Sequence, residues 1–165
     1  MATSPRKSLA LDTNVLLDLA GRKDFAHEFR EQFSANGYSL LVAPTAIAEL
    51  AFFAAQPATL EQELADIALA NIGKWKCQPF ALSCTQLAIA NRFAMRLIDR
   101  RLIPEVEQND GKILAQSSLA HVPLLVTSDK HLLDIEDEAL LLAFNDTDLL
   151  PVHPAHPKRL LKALR

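Results

Sequence analysis

Four carboxylates in this sequence stand where an acid can do more than face water: Asp12, Glu49, Asp110 and Asp129. Asp12 ends the apolar run Leu9-Ala10-Leu11 and is followed by Thr13 and Asn14 before apolar residues resume at helical spacing. Asp129 lies just beyond Leu124-Leu125-Val126-Thr127, and Asp110 opens a stretch carrying Ile113, Leu114, Ser117 and Leu119 at helical intervals. Glu49 sits within Ile47-Ala48-Glu49-Leu50-Ala51-Phe52-Phe53. Carboxylates gathered at one place repel each other, and hard divalent cations such as Mg²⁺ or Mn²⁺, which prefer oxygen ligands, relieve that repulsion. A cation held this way lowers the pKa of a bound water and neutralises charge on a phosphate. Each acid also has a plainer use. Asp12, Asp110 and Asp129 stand at helix starts, where an N-cap contributes about 1 kcal/mol. Glu49 is harder to explain, because an unpaired charge in apolar surroundings is expensive. Either a salt bridge to an arginine or a bound cation would satisfy it.

Whether the four acids meet depends on the elements that carry them. Residues 8–11 read as a buried strand and residues 15–20 as a short helix closed by Gly21. A second helix follows over Asp24–Ala35, with Phe25, Phe29 and Phe33 on one face. The compact apolar run 38–43 leads through Pro44-Thr45 into a helix over 45–56, and Pro57 separates it from an amphipathic helix over 58–72. Residues 73–79 read as a loop and 83–102 as a long helix stopped before Pro104. A polar connection over 105–109 precedes the helix opened by Asp110, then a short strand over 124–127 and a helical turn after Asp129. Further on, 140–143 reads as extended, 146–148 as a turn, 149–152 as an edge strand and Pro157–Leu164 as a terminal helix. His153 and His156, among three prolines, read as a turn and helix entry.

Short apolar strands alternating with helices indicate an α/β fold with a mainly parallel sheet. In such sheets the C-terminal end of each strand and the N-terminus of the next helix share one edge, where ligands bind. That edge receives Asp12, Asp110 and Asp129, and Glu49 about one turn into its helix, roughly 6 Å along the axis. All four are therefore expected to converge.

With 165 residues, half of them hydrophobic and 22% charged, the chain has the size and composition of one globular domain, taken as 8–165 behind a polar tail at 1–7. A formal net charge of -3 disfavours non-specific coating of nucleic acid but leaves room for a local basic patch. Cys77 and Cys84 have neither zinc-ligand nor thioredoxin-like spacing, and no segment has the apolar length of a signal core or a membrane helix. A cytoplasmic protein without a membrane partner is expected. Neither a Walker A loop nor a GxGxxG motif is present.

Taken in order, Leu11-Asp12-Thr13-Asn14-Val15-Leu16, Glu49, Asp110 with Ile113-Leu114-Ala115, and Leu125-Val126-Thr127-Ser128-Asp129-Lys130 resemble the PIN-domain family of metal-dependent ribonucleases. The blocks span nearly the whole chain. Leu150-Pro151-Val152-His153-Pro154 further resembles the ending of the VapC-type subgroup, the toxin components of toxin–antitoxin pairs. The resemblance implies a three-layer sandwich around a five-stranded parallel sheet. It also implies a Mg²⁺ or Mn²⁺ site at Asp12, Glu49, Asp110 and Asp129, and hydrolysis of RNA phosphodiesters by metal-activated water. Thr13, Asn14 and Ser128 would then position those acids. An antitoxin partner and a homodimer are implied as well. Gly111, beside Asp110, disfavours a helix interior by roughly 1 kcal/mol and is expected to loosen that acid.

Phosphate contacts are expected from Arg92, Arg96 and Arg100 at four-residue spacing, from Lys130 and His131 beside Asp129, or from Lys158, Arg159, Lys162 and Arg165. Such stripes are also ordinary solvated helix faces. Phe52, Phe53 and Trp75 offer either an apolar surface or core. Three alternatives remain: a PIN-like nuclease in RNA maturation or on DNA ends, a scaffold whose acids merely cap helices, and a phosphoacceptor receiver domain. The last lacks the acidic pair it needs near the first strand.

Overall fold

Residues 7–165 are described by the computed structural model, so of the segment expected as a tail only Lys7 can be placed. Its carbonyl accepts the Ser39 N–H at 2.8 Å, and its ammonium lies 5.4 Å from the centre of the Tyr38 ring. The chain runs β1 (Ser8–Leu11), α1 (Thr13–Ala20), α2 (Asp24–Ala35), β2 (Ser39–Val42), α3 (Pro44–Ala54), α4 (Leu60–Asn71) and β3 (Cys77–Pro79). It continues through α5 (Cys84–Asp99), a single 3₁₀ turn at Glu105–Glu107, α6 (Gln108–Leu119), β4 (Leu124–Val126), α7 (Lys130–Leu133), α8 (Asp137–Asp146), β5 (His153–Ala155) and α9 (Pro157–Leu164).

The five strands are all parallel, in the order β3-β2-β1-β4-β5. β1 therefore lies at the centre, and Leu9, Ala10 and Leu11 are completely buried, as a strand covered on both faces must be. Helices flank the sheet: α2 contacts α1 and α9, while α5 packs on α6 and α8. From β1 the sheet grows one way through β2 and β3 and the other way through β4 and β5. The boundary between β1 and β4 is thus the point where strand order reverses, with Ala10 opposite Leu125 and Leu11 opposite Val126. A crevice at such a point, beyond the carboxyl ends of the strands, is the usual ligand position in an open α/β sheet.

Several expected elements are corrected. Residues 77–79 form edge strand β3 rather than loop, pairing with Leu40–Val42 of β2; Pro79 is tolerated there because an edge strand has a side without a ladder. Residues 140–143 are helical, inside α8. Leu140, Ala143 and Phe144 are buried while Leu141 and Leu142 are exposed, a spacing of three and four that a strand cannot produce. The last strand lies at His153–Ala155 instead of 149–152, paired through Leu124 and His153. His156 does enter the terminal helix, its Nδ1 accepting the Lys158 N–H at 3.1 Å. Asp110 is the third residue of α6, which begins at Gln108.

The expected apolar surface divides in two. Trp75 is buried, Phe53 half-buried, and Phe52 remains 63% exposed. Of the cysteines, Cys77 is buried and Cys84 exposed. Burial pushes the Cys77 thiol up to about 11. No helix among the described residues is long and apolar enough to cross a membrane.

Candidate metal centre

Asp12 stands at the switch point because β1 ends there. Its backbone N–H continues the ladder to the Val126 carbonyl at 2.9 Å, and its Oδ1 accepts the Thr13 N–H at 2.8 Å as the cap of α1. Capping uses one oxygen. The other, Oδ2, accepts the Thr127 hydroxyl at 2.8 Å and the Asn14 amide at 3.4 Å. Thr127, the residue after β4, is fully buried, and its Oγ1 also accepts the Asp129 N–H at 3.0 Å and the Asn14 amide at 3.2 Å. One donor and two acceptor positions of a single hydroxyl are thereby filled. Asn14 completes the link by accepting the Ser128 N–H at 3.1 Å. Ser128 donates its own hydroxyl to Asp18 at 3.1 Å, and Asp18 pairs with Lys23. The loops after β1 and β4 are joined side chain by side chain.

Glu49 arrives through α3, whose cap residue is Ala43 and offers no side-chain acceptor. The buried Gln116 of α6 supplies one: it accepts the Thr45 N–H at 3.0 Å and donates to the Thr45 hydroxyl at 2.6 Å. One turn further along α3, Glu49 accepts the Thr13 hydroxyl at 2.7 Å. No ion pair to an arginine satisfies Glu49 among the described residues.

Asp110 is held by the packing of α5 against α6. A Cβ built on Gly111 would stand 2.9 Å from both Cα and Cβ of Ala94 and 3.1 Å from Cδ1 of Ile103. Glycine is thus what lets the two helices approach beside Asp110, a packing reason for a residue that helix propensity alone disfavours. Asp110 lies in the first turn of α6 without capping it.

One carboxylate oxygen from each of Asp12, Glu49 and Asp110 lies within 4.8 Å of the other two. A second triplet, from Glu107, Asp110 and Asp129, meets the same limit, so Asp110 joins all four expected acids into one cluster. Asp129 caps α7, accepting the His131 N–H at 2.9 Å. Glu107 belongs to the stretch that the sequence presents as a polar connection. Its signal was its place one helical turn before Asp110, a spacing of three that puts two acids on one face.

The electrostatics match the crowding. Burial, with smaller contributions from the Glu49 and Asp129 charges, pushes Asp12 up to about 7 against the lowering effect of Thr127 and Thr13. Asp110 is pushed up to about 10 by burial first and then by Asp12, Asp129 and Glu49. Glu107 is raised by burial and by Asp129, and its Oε2 is buried with no hydrogen-bond donor among the described residues. Acids of this kind fit a hard divalent cation: the donors are all oxygen, they are closely spaced, and one buried oxygen lacks any donor.

The basic residues divide. Arg100 pairs with Asp146 on α8, while Arg92 and Arg96 border a hollow of about 220 Å³ with Phe93 and Thr147. None of the three contacts the acids through a hydrogen bond or ion pair among the described residues. Lys130 is exposed at the start of α7. At the C-terminus, Arg165 pairs with Glu28 and Lys158 lies over the Phe25 ring, so α9 is docked on α2. Two cations at the margin of the acids were missed. Lys112 shares a hollow of about 440 Å³ with Glu49, and Arg101 lines another with His131.

A family model described as the PIN domain matches residues 9–138. Similar solved structures include VapBC2 from Rickettsia felis bound to a DNA fragment from their promoter, with 15% identity, 90% of this chain and 98% of that chain covered, and a TM-score of 0.60. They also include VapBC-1 from nontypeable Haemophilus influenzae, with 14% identity, 92% and 98% covered and a TM-score of 0.57. FitAcB from Neisseria gonorrhoeae matches with 15% identity, 90% and 97% covered and a TM-score of 0.53. At these identities the likeness is one of fold. No curated protein matches the chain in sequence. The family match covers most of the chain, including all four acids expected to converge and the strands that bring them together: the chain belongs to the PIN-domain family.

Proposed function

We propose that the chain is a metal-dependent endoribonuclease, the toxin component of a type II toxin–antitoxin pair. The observation that carries this reading is the convergence of Asp12, Glu49, Asp110 and Asp129 at the point where strand order reverses. These four would hold Mg²⁺ or Mn²⁺. A cation bound there supplies an activated water and charge neutralisation at the scissile phosphate.

The remaining work falls to the chain itself. The Thr13 hydroxyl fixes Glu49, and Asn14 with Thr127 fixes Asp12 relative to Asp129. Ser128 ties that loop to α1 through Asp18. Because these bonds are in place before substrate arrives, the acids need little reorganisation on binding. Lys130 stands next to Asp129 in the chain, Arg92 and Arg96 on α5 and Arg100 at its C-terminal cap, from where they would contact RNA phosphates. Relatives of this fold solved as VapBC and FitAcB support an antitoxin partner. The exposed Phe52 is in keeping with a partner or a second copy of the chain.

The test is cleavage of single-stranded RNA by the purified protein. Asp12→Asn and Asp129→Asn are expected to abolish cleavage with the fold retained, and EDTA to do the same reversibly. Full activity in metal-free buffer overturns the assignment. Growth arrest on expression, relieved by a small protein encoded next to this one, separates the toxin role from a PIN-domain nuclease in RNA processing.

A further inference from the structure

We infer that Glu107 is a further cation-site residue, contributing a carboxylate oxygen alongside Asp110 and Asp129. This rests on the metal-centre reading above and extends it to an acid outside the expected set. Glu107 ends the 3₁₀ turn before α6, with its side chain 20% exposed. Its two oxygens have unequal surroundings. Oε1 lies 3.4 Å from Nε2 of His131, whereas Oε2 is shut off from solvent without a standing donor among the described residues. A buried acceptor left in that condition costs the full desolvation of the group. The neighbouring groups are the carboxyls of Asp110 and Asp129, one oxygen of each lying within 4.8 Å of one from Glu107, so only a proton shared between the acids or a bound cation relieves it.

Three carboxyl oxygens at that separation are within reach of one divalent cation after small side-chain shifts, since Mg²⁺ binds oxygen at about 2.0–2.1 Å. A cation would satisfy Oε2 and screen the repulsion together. The competing account makes Glu107 a structural strap, holding the 3₁₀ turn to α7 through His131, whose side chain is 62% exposed. The two accounts differ in what each residue does to cation affinity.

The probe is Mn²⁺ alone, titrated into the full metal-free chain and read by thermal unfolding and by calorimetry. The expected result is that Glu107→Gln weakens Mn²⁺ binding by ~10-fold or more, while its metal-free melting temperature equals or exceeds that of the unsubstituted protein because a repelling charge has gone. His131→Ala is expected to keep the unsubstituted affinity within a few-fold. Glu107→Asp, which retains the charge on a shorter stem, is expected to fall between. Unchanged Mn²⁺ affinity in Glu107→Gln, or equal losses in Glu107→Gln and His131→Ala, overturns the inference and leaves the four-acid centre standing. A chain that shows no response to Mn²⁺ before any substitution removes the centre itself.

Discussion

Thr127 gives its hydroxyl proton to Asp12 at 2.8 Å and takes the backbone N–H of Asp129 at 3.0 Å, so one buried oxygen sets the spacing between two acids far apart in sequence. Thr127→Val keeps the shape and removes both bonds. It is expected to lower stability by about 1–3 kcal/mol, the range for leaving buried partners unsatisfied, and to weaken Mn²⁺ binding. Urea unfolding and Mn²⁺ titration of the variant check both parts; an unaltered urea midpoint contradicts the first.

Thr13 acts on Glu49 in the same manner, through a 2.7 Å hydrogen bond from a side chain that is almost wholly buried. Thr13→Val is expected to lower Mn²⁺ affinity by roughly 10–100-fold, as loss of a ligand's orienting partner does, and Thr13→Ser to restore much of it. Equal affinity in Thr13→Val and the unsubstituted chain would show that Glu49 is held by α3 alone.

Gly111→Ala inserts a methyl where Ala94 already stands 2.9 Å away. Alanine favours a helix by about 1 kcal/mol over glycine, but overpacking between two buried helices costs typically ~1–3 kcal/mol. Net destabilisation is expected, with partial recovery in the Gly111→Ala, Ala94→Gly double variant. A more stable Gly111→Ala would mean that α5 and α6 part without penalty.

Without metal, the acids make stability depend on pH in a definite direction. Burial raises Asp12 from 3.8 to about 7 and Asp110 from 3.8 to about 10. Below the unfolded value both states are protonated and nothing is lost. As pH rises from 3.8 through about 7 for Asp12, and onward to about 10 for Asp110, the unfolded chain releases protons that the folded chain retains, and stability falls. Metal-free protein is therefore expected to lose more stability between about pH 5 and about pH 8 than its Asp110→Asn variant. Saturating Mn²⁺ is expected to reverse the difference, since ligation displaces the same protons. Urea unfolding at the two pH values, with and without Mn²⁺, is the measurement.

Arg100 is engaged with Asp146, whereas Arg92 and Arg96 have no ion-pair partner among the described residues. If α5 contacts RNA, Arg92→Ala and Arg96→Ala each reduce the slope of log affinity against log salt by roughly 0.7, the value per phosphate contact on a single strand. Filter binding with catalytically silent Asp129→Asn protein reads this directly, and unaltered slopes assign the stripe to solvent.

How far the sequence discloses the fold depends on how local each signal is. The run Leu9-Ala10-Leu11-Asp12 reads correctly because a buried strand, an acid and a helix start are adjacent in the chain. β3 and β5 have no such signature. Each has three residues and a proline, and each is a strand only because β2 or β4 lies beside it. The Leu140-to-Phe144 run is apolar at every position, so period two and period 3.6 fit it about equally until burial separates Leu140, Ala143 and Phe144 from Leu141 and Leu142. Among the site residues, the four acids were placed by strand ends and helix starts. Thr127 and Gln116 were not, because a hydroxyl or amide reveals its partner only when α6, β4 and α3 are assembled. Asp12 and Asp129 prove to cap helices as well as join the cluster, so those two uses coexist.

The central position of β1 has a consequence for how the protein is made. β1 emerges first, yet its neighbour β4 follows more than a hundred residues later, as the 115-residue separation of Asp12 and Thr127 shows. A nascent chain halted before Leu124 carries Asp12, Glu49 and Asp110 but has neither the hydroxyl that holds Asp12 nor the acid of Asp129. The cluster closes only once the segment from Leu124 to Asp129 has left the ribosome, so fragments from translation interrupted before it are born without it.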